Sequence, residues 1–348
     1  MNSPEYIQTS LAAAISLGLE PGRFKEKVKL TGLNLLLVYD DKCIGRCAYC
    51  GLSAQRLHSE NVLSDRKSKT FIRVKWPVYR LDEVIRKTKE NSADFQRICI
   101  SMITKSRAFN DTVTITEKIH RELPHPVSIL ISPTILKGRK ELEILKEAGA
   151  DMIGIAIDAA CRSIFSKLRG SGVKGPHKWE KYWKILKDAI DVFGKFNAGI
   201  HLIAGLGETE EEMVKTIWDA HQMGAKTHLF SFFPEAFSEL ENLEPPDLFH
   251  YRKIQIARYL INEKQTGIDK IKFDNNGKII SFDYDINEII EEGFAFTTSG
   301  CPGTSEGISA CNRPLANERP SEPFRNYPYL PDSHEKEIIR KQVASLIN

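Results

Sequence analysis

The stretch LNLLLVYDDKCIGRCAYC, Leu33 to Cys50, decides how the rest of the chain is read. Leu33 to Asp40 is a continuous apolar run of strand length. It breaks into a polar loop, as a strand buried on both faces of a parallel sheet does. The loop then presents Cys43, Cys47 and Cys50 in a C-x3-C-x2-C spacing.

The same grammar recurs downstream. RICISMIT around Cys99, VSILIS (Val127 to Ser132), MIGIAID (Met152 to Asp158), GIHLIAG (Gly199 to Gly205) and THLFSFF (Thr227 to Phe233) are apolar and strand-sized. Amphipathic stretches such as RKELEILKEAGA and EKYWKILKDAIDVF separate them. Strands alternating with helices predict parallel βα units. IKFD (Ile271 to Asp274), KIISFD (Lys278 to Asp283) and FAFTTS (Phe294 to Ser299) bring the expected strand count to between six and eight. Residues with chemical potential fall at the C-terminal ends of several strands, where a barrel builds its site. The expected fold is therefore α/β, a complete or nearly complete (β/α) TIM-type barrel over residues 31–299, with a doubly wound sheet as the alternative. Residues 1–30 read as a short helical extension closed by Gly18 to Gly22. Residues 300–348 read as an irregular tail rich in Pro, Gly, Asn and Arg, ending in a helix capped at Ser333.

Composition narrows the class. With 41% hydrophobic and 27% charged residues the 348-residue chain is globular. Forty-nine Lys plus Arg against 46 Asp plus Glu leave a formal charge of +3, too little to point to nucleic acid as a partner. No run approaches the roughly 18–20 apolar residues of a membrane span. The opening has no basic head followed by an apolar signal core, so a cytoplasmic location without a membrane partner is expected. Seven cysteines, three of them within eight positions, are too few and too uneven for a disulfide scaffold. Metal binding or catalysis is the better reading.

Three thiolates on a short loop can hold three corners of a 4Fe–4S cubane and leave one iron without a protein ligand. Closed tetrahedral zinc would need a fourth ligand, and the nearest histidine, His58, stands in a charged stretch with no paired spacing. C-x3-C-x2-C with Tyr49 before its last cysteine, after the first barrel strand, resembles the radical S-adenosylmethionine (SAM) superfamily. The resemblance implies that the open iron chelates SAM and that a 5′-deoxyadenosyl radical then removes a hydrogen atom from substrate. The Gly-Gly-Glu usual after the second strand is replaced by Ser101-Met102-Ile103-Thr104. Asp158 reads either as a ribose acceptor, as in relatives, or as a helix N-cap. Gly205-Leu206-Gly207-Glu208-Thr209 is similar to the element of biotin synthase that lies along SAM, although Thr209 also reads as a helix cap. Gly205, Gly207 and Glu208 are thus candidate SAM contacts, with Tyr49 and Asp158.

Four cysteines stand outside the loop. A lone strand cysteine such as Cys99 is ordinarily core, but a strand cysteine in biotin synthase holds a second cluster. Cys161 follows Asp158 closely. Cys301 and Cys311 lie in the polar tail, where a cysteine has little core to join. The tail stretch TSGCPG to CNRPLANERPSEP resembles the archaeal two-component lipoyl synthases. That resemblance implies a second, auxiliary 4Fe–4S cluster on Cys301, Cys311 and Cys99, with a serine oxygen (Ser299, Ser305 or Ser309), substrate or an open position as the fourth ligand. It implies sulfur insertion from that cluster into an unactivated C–H bond of an octanoyl chain on a lipoyl carrier protein. The implied partners are that carrier, a second radical SAM component and an electron donor. Arg313, Arg319 and Arg325 read as carboxylate clamps or as solvated charges. His177 with Trp179 and Trp183 reads as an acyl channel or as core. The alternatives are sulfur insertion into a small molecule, radical SAM chemistry without sulfur transfer, and a non-catalytic iron–sulfur or zinc protein.

Overall fold

The computed structural model describes residues 1–24, 28–41, 43–55, 70–71, 74–303, 309–311 and 323–347. The chain opens with β1 (Tyr6–Thr9), α1 (Leu11–Ser16) and β2 (Gly32–Leu37), followed by the short β3 (Thr70–Phe71), β4 (Val74–Lys75) and β5 (Val78–Arg80). After α2 (Leu81–Glu90) the alternation is regular: β6 (Arg97–Ser101), α3 (Ala108–Glu122), β7 (Val127–Ile131), α4 (Arg139–Glu147), β8 (Ala150–Asp158). It continues through α5 (Arg162–Leu168), α6 (Trp179–Phe193), β9 (Ala198–Ala204), α7 (Glu210–Met223), β10 (Lys226–Ser231) and α8 (Leu248–Asn262).

One eight-stranded sheet runs in the order β10-β9-β8-β7-β6-β2-β1-β5. Its first six strands are parallel, and β1 pairs antiparallel with both β2 and β5. All six residues of β2 are buried, which is why the strand runs do not alternate in polarity: helices cover one face and the barrel interior lies on the other. A few polar residues interrupt those runs. Register sets Asn34 beside Cys99 and Cys99 beside Ser128, and pairs His201 with His228. No helix among the described residues is long and apolar enough to cross a membrane.

Four expectations change. The opening segment supplies a strand, Tyr6–Thr9, as well as one helix, because Ile7 and Thr9 bury against β2 while Tyr6 and Gln8 stay half-buried. IKFD and KIISFD form a separate hairpin, β11 (Ile271–Phe273) and β12 (Ile279–Phe282), outside the barrel sheet. FAFTTS is a 3-10 turn at Phe294–Phe296 following α9 (Ile286–Glu292). The parallel barrel strands therefore number six, the lower end of the expected range. The closing helix α10 (Ser333–Gln342) is capped by Asp332, one residue earlier than expected, through a box with Glu335.

The described part of the tail is tied down at two points. At Gly32 an added Cβ would lie 2.5 Å from the Ala310 carbonyl oxygen, so glycine permits the tail backbone to cross β2 there. The Thr31 hydroxyl donates to the same oxygen at 3.0 Å, and Arg97 Nε donates to the Pro302 carbonyl at 2.7 Å. Further on, the fully buried Arg252 of α8 donates to the carbonyls of Phe324 at 2.7 Å and Arg325 at 2.5 Å. Gly32→Ala should overpack the first crossing and lower stability by about 1–3 kcal/mol. Urea denaturation measures that loss, and limited proteolysis should cut the tail faster. Arg252→Met removes the donor to Phe324 O and leaves Arg325 O with Gln255 Nε2, and should cost about 1–3 kcal/mol in the same titration.

Candidate active site

The cysteine loop is fastened to three neighbouring segments, twice through its backbone and once through a side chain. Ile44 N–H donates to Thr104 O at 3.0 Å and Ala48 N–H to Leu168 O at 2.8 Å, while Arg46 Nε donates to Val173 O at 2.9 Å. Two backbone amides point at sulfur: Gly45 N–H lies 3.3 Å from Cys43 Sγ, and Leu52 N–H 3.4 Å from Cys50 Sγ. Such contacts favour the thiolate and tune an iron–sulfur cluster. Burial pushes the Cys47 thiol up to about 11, against the pull of Arg169, and holds Cys50 well above the ordinary thiol range. Among the described residues no three His, Cys, Asp or Glu side chains close on a single metal ion. Thiols set apart around one cavity, with amides aimed at two of them, fit the corners of a cubane better than a zinc tetrahedron.

Behind the loop stands a buried polar network. Asp158 ends β8 with φ of 65°, in the left-handed region, and its Oδ2 accepts from the Tyr49 hydroxyl at 2.6 Å and from Arg169 Nη1 at 2.7 Å. Arg169 also donates to the carbonyls of Ala156 and Ile157, and to the Tyr182 hydroxyl at 3.1 Å. His177 Nδ1 lies 2.9 Å from that hydroxyl and 2.6 Å from Thr134 Oγ1. Burial and then Arg169 depress His177 to about 3, so the ring is neutral. Asp158 is not a helix cap: α5 starts four residues later with Cys161 at its N-cap position.

These groups face a chamber of about 230 Å³ inside the strand ends. Cys43, Cys47, Cys50, Tyr49, Asp158 and Arg169 line one side of it. Leu36, Met102, Leu130, Ile203, Phe230 and Trp76 give it apolar walls, and Ser101 to Thr104, which replace the expected Gly-Gly-Glu, complete the β6 end. Asn34 and His201 line this chamber and also a second, smaller pocket of about 20 Å³.

The second pocket brings together Cys99 from β6 and Cys301 and Cys311 from the tail, with Arg97, Ser128 and His228 around them. Cys301 is buried, and its thiol is pushed up to about 12 by burial and then by the neighbouring Cys99. Three thiols from distant points of the chain thus meet in one place. Arg97 supplies a cation beside Cys301 and Cys99 and is clamped by the Asp151 carboxylate at 2.5 and 2.8 Å.

Other expected residues fall elsewhere. Gly205 and Gly207 have φ of 101° and 112°, conformations that favour glycine, but neither they nor Glu208 line the chamber. The Glu208 carboxylate turns back to accept from Gly205 N–H at 2.6 Å and Leu206 N–H at 2.9 Å. Thr209 caps α7 through a box with Glu212. Cys161 contacts Ser163 and lines neither cavity. Ser299 Oγ accepts from Leu229 N–H at 2.7 Å, and Ser309 donates to Gly300 O at 3.2 Å. His177 lines the chamber, whereas Trp179 and Trp183 pack against each other and Trp179 against Phe165. Arg325 lies over the Phe233 ring. Arg313, Arg319, Ser305 and His58 lie outside the described residues.

Sequence reading passed over Arg169, Tyr182, Asn34, Ser128, His201 and His228. For the last four there was a signal: each is a polar residue inside an otherwise apolar strand run, at a position that must face the barrel interior. Arg169 and Tyr182 gave none, because an arginine after a short helix and a tyrosine within one are ordinary.

No curated protein matches the chain. Among solved structures it is similar to HydG, a maturase of the FeFe-hydrogenase, at 12% identity and TM-score 0.51, over 72% of this chain and 57% of that one. Methylornithine synthase (PylB) matches at 15% identity and TM-score 0.47, over 67% of this chain and 63% of that one. The chain thus spans less than two thirds of either protein's length, and the HydG likeness is one of fold. The family model of the radical SAM superfamily matches residues 38–219, a little over half of the 348 residues and the part that holds the cysteine loop and the first strands of the chamber. The chain belongs to the radical SAM superfamily.

Proposed function

We propose that the chain inserts sulfur into an octanoyl chain carried by a lipoyl carrier protein, as one of a pair of radical SAM components like those of the archaeal two-component lipoyl synthases. The observation that carries this reading is the meeting of Cys99, Cys301 and Cys311 at a buried pocket that shares Asn34 and His201 with the chamber. Cys43, Cys47 and Cys50 would hold the SAM-binding 4Fe–4S cluster, and Cys99, Cys301 and Cys311 the auxiliary one. When bound, the first cluster with SAM supplies a hydrogen-abstracting radical and the second supplies the sulfur.

The chain's own residues orient and exclude. Asp158, held by Tyr49 and Arg169, offers a carboxylate at the chamber wall to ribose hydroxyls. Gly205, Gly207 and Glu208 do not line the chamber, and any contact of theirs with SAM would have to be through backbone, since the Glu208 carboxylate is already paired. Leu36, Met102, Leu130, Ile203 and Phe230 suit an alkyl chain and keep water from a reactive carbon. The shared wall of the two cavities would keep that carbon near both groups, as reaction between them demands. Oxygen-labile clusters and a low-potential electron donor fit a cytoplasmic setting.

Anaerobically reconstituted protein should hold about eight irons per chain, and the Cys43/Cys47/Cys50→Ala variant about four with no 5′-deoxyadenosine formed. SAM cleavage that survives in that variant would contradict the loop's role. Cys301→Ala and Cys311→Ala should still cleave SAM but give no carbon–sulfur bond on an octanoyl-lysine peptide, read by mass spectrometry. Normal thiolation by either variant would refute the proposal, and thiolation of dethiobiotin in place of the peptide by the unaltered protein would move it to a small-molecule substrate.

A further inference from the structure

His177 lies just ahead of α6, is only 5% exposed, and lines the chamber. One edge of its ring is engaged by the protein. Nδ1 lies 2.6 Å from Thr134 Oγ1 and 2.9 Å from the Tyr182 hydroxyl, which is buried and accepts from Arg169 Nη2 at 3.1 Å. A guanidinium only donates, so the Tyr182 oxygen is the acceptor of that bond and its own proton must go onward. Within reach are His177 Nδ1 and, at 3.3 Å, Thr134 Oγ1. With Nδ1 as an acceptor the protons of both hydroxyls have a place. With a proton on Nδ1 the Thr134 hydroxyl would lose its nearest acceptor. The network therefore assigns the ring proton to Nε2.

That N–H stands beside the cysteine loop. A Cβ on Gly45 would meet His177 Nε2 at 3.1 Å and Cys43 Sγ at 3.2 Å, so ring nitrogen and sulfur flank one point that glycine leaves free. Among the described residues none accepts the Nε2 proton, since the bonds of the ring are all made at Nδ1. A donor without an acceptor at an apolar chamber costs about 1–3 kcal/mol, which calls for a partner bound there. Cluster sulfurs accept such bonds, and Cys43 Sγ already has Gly45 N–H at 3.3 Å.

We propose that His177 Nε2 donates a hydrogen bond to sulfur at the Cys43 corner of the cluster held by Cys43, Cys47 and Cys50, and so raises that cluster's reduction potential. The inference rests on the loop's cluster and not on sulfur transfer. Reduction adds negative charge to the cluster, and a donor aimed at its sulfur stabilises the reduced form more than the oxidised one. Arg169, Tyr182 and Thr134 act through the ring, because they hold its tautomer and its orientation.

The test uses the full chain with Cys301 and Cys311 replaced by Ala, so that the loop's cluster alone gives the signal. His177, His177→Gln and His177→Phe versions are compared by iron content, circular dichroism melting and redox titration followed by electron paramagnetic resonance, without and with SAM. His177→Phe should keep the iron and lower the midpoint potential already in the absence of SAM. His177→Gln, whose amide can still donate, should fall between the two. A second measurement needs no variant at that position: with histidine carrying heavy nitrogen, pulsed resonance on the reduced cluster should show a weak nitrogen coupling in the His177 protein. Equal potentials for His177 and His177→Phe, or no nitrogen coupling, would overturn the proposal. A shift that arises only once SAM is added would give the N–H to SAM and overturn it too. A His177 parent without iron would instead overturn the loop's cluster, whereas a failure to form carbon–sulfur bonds would touch only the sulfur-transfer reading.

Discussion

Arg169 is a cation buried at the end of a short helix, and its pairing sets the geometry of everything above the sheet. A guanidinium away from water is tolerated only if most of its donors find acceptors. The carbonyls of Ala156 and Ile157, the carboxylate of Asp158 and the hydroxyl of Tyr182 engage its two terminal nitrogens, while the buried Nε has no hydrogen bond. The result is a rigid post at the C-terminal end of β8. Tyr49 grips it through Asp158, so the aromatic residue before the last loop cysteine becomes the link between cysteine loop and barrel. Positive charge beside Cys47 also opposes the rise that burial imposes on that thiol.

The interior below follows from a second constraint. Strands buried on both faces leave few places for polar atoms, and those present lie in a band of neighbouring positions: Asn34, Cys99 and Ser128 across three strands, His201 and His228 across two. The apolar chamber sits on one side of this band and the Cys301 and Cys311 segment on the other, with Asn34 and His201 reaching both. Closure from the far side depends on Gly32, which has no side chain to hold the tail off, and on Arg97, which binds the Pro302 carbonyl while Asp151 fixes its other end.

How much of this was legible in the sequence varies with the range of the interaction. Apolar strand runs such as Val127 to Ser132 are local signals and landed within a residue or two of the strands formed. Phe294 to Ser299 misled because the same β-prone composition serves a 3-10 turn when Gly293, at φ of 76°, redirects the chain before it. The cysteine spacing in the loop is local and was readable. The meeting of Cys99 with Cys301 and Cys311 came from resemblance alone, since no periodicity links positions some two hundred residues apart. Glu208 shows the limit from the other side: a motif glutamate whose carboxylate bonds to its own loop. The Asp158, Arg169 and Tyr182 network was invisible as a unit, because each member is unremarked until the fold brings them together.

The central claim is that the sulfur in the product comes from a cluster bound by this chain. The most direct measurement reconstitutes the protein with heavy-isotope sulfide, removes free sulfide, and supplies SAM, reductant and octanoyl-lysine peptide containing only natural-abundance sulfur sources. Mass spectrometry then follows the peptide. The account predicts thiolated peptide carrying the heavy isotope, in no more than the amount of cluster present. Thiolated peptide with light sulfur, or 5′-deoxyadenosine formed without any thiolated product in the presence of the second radical SAM component, would contradict it.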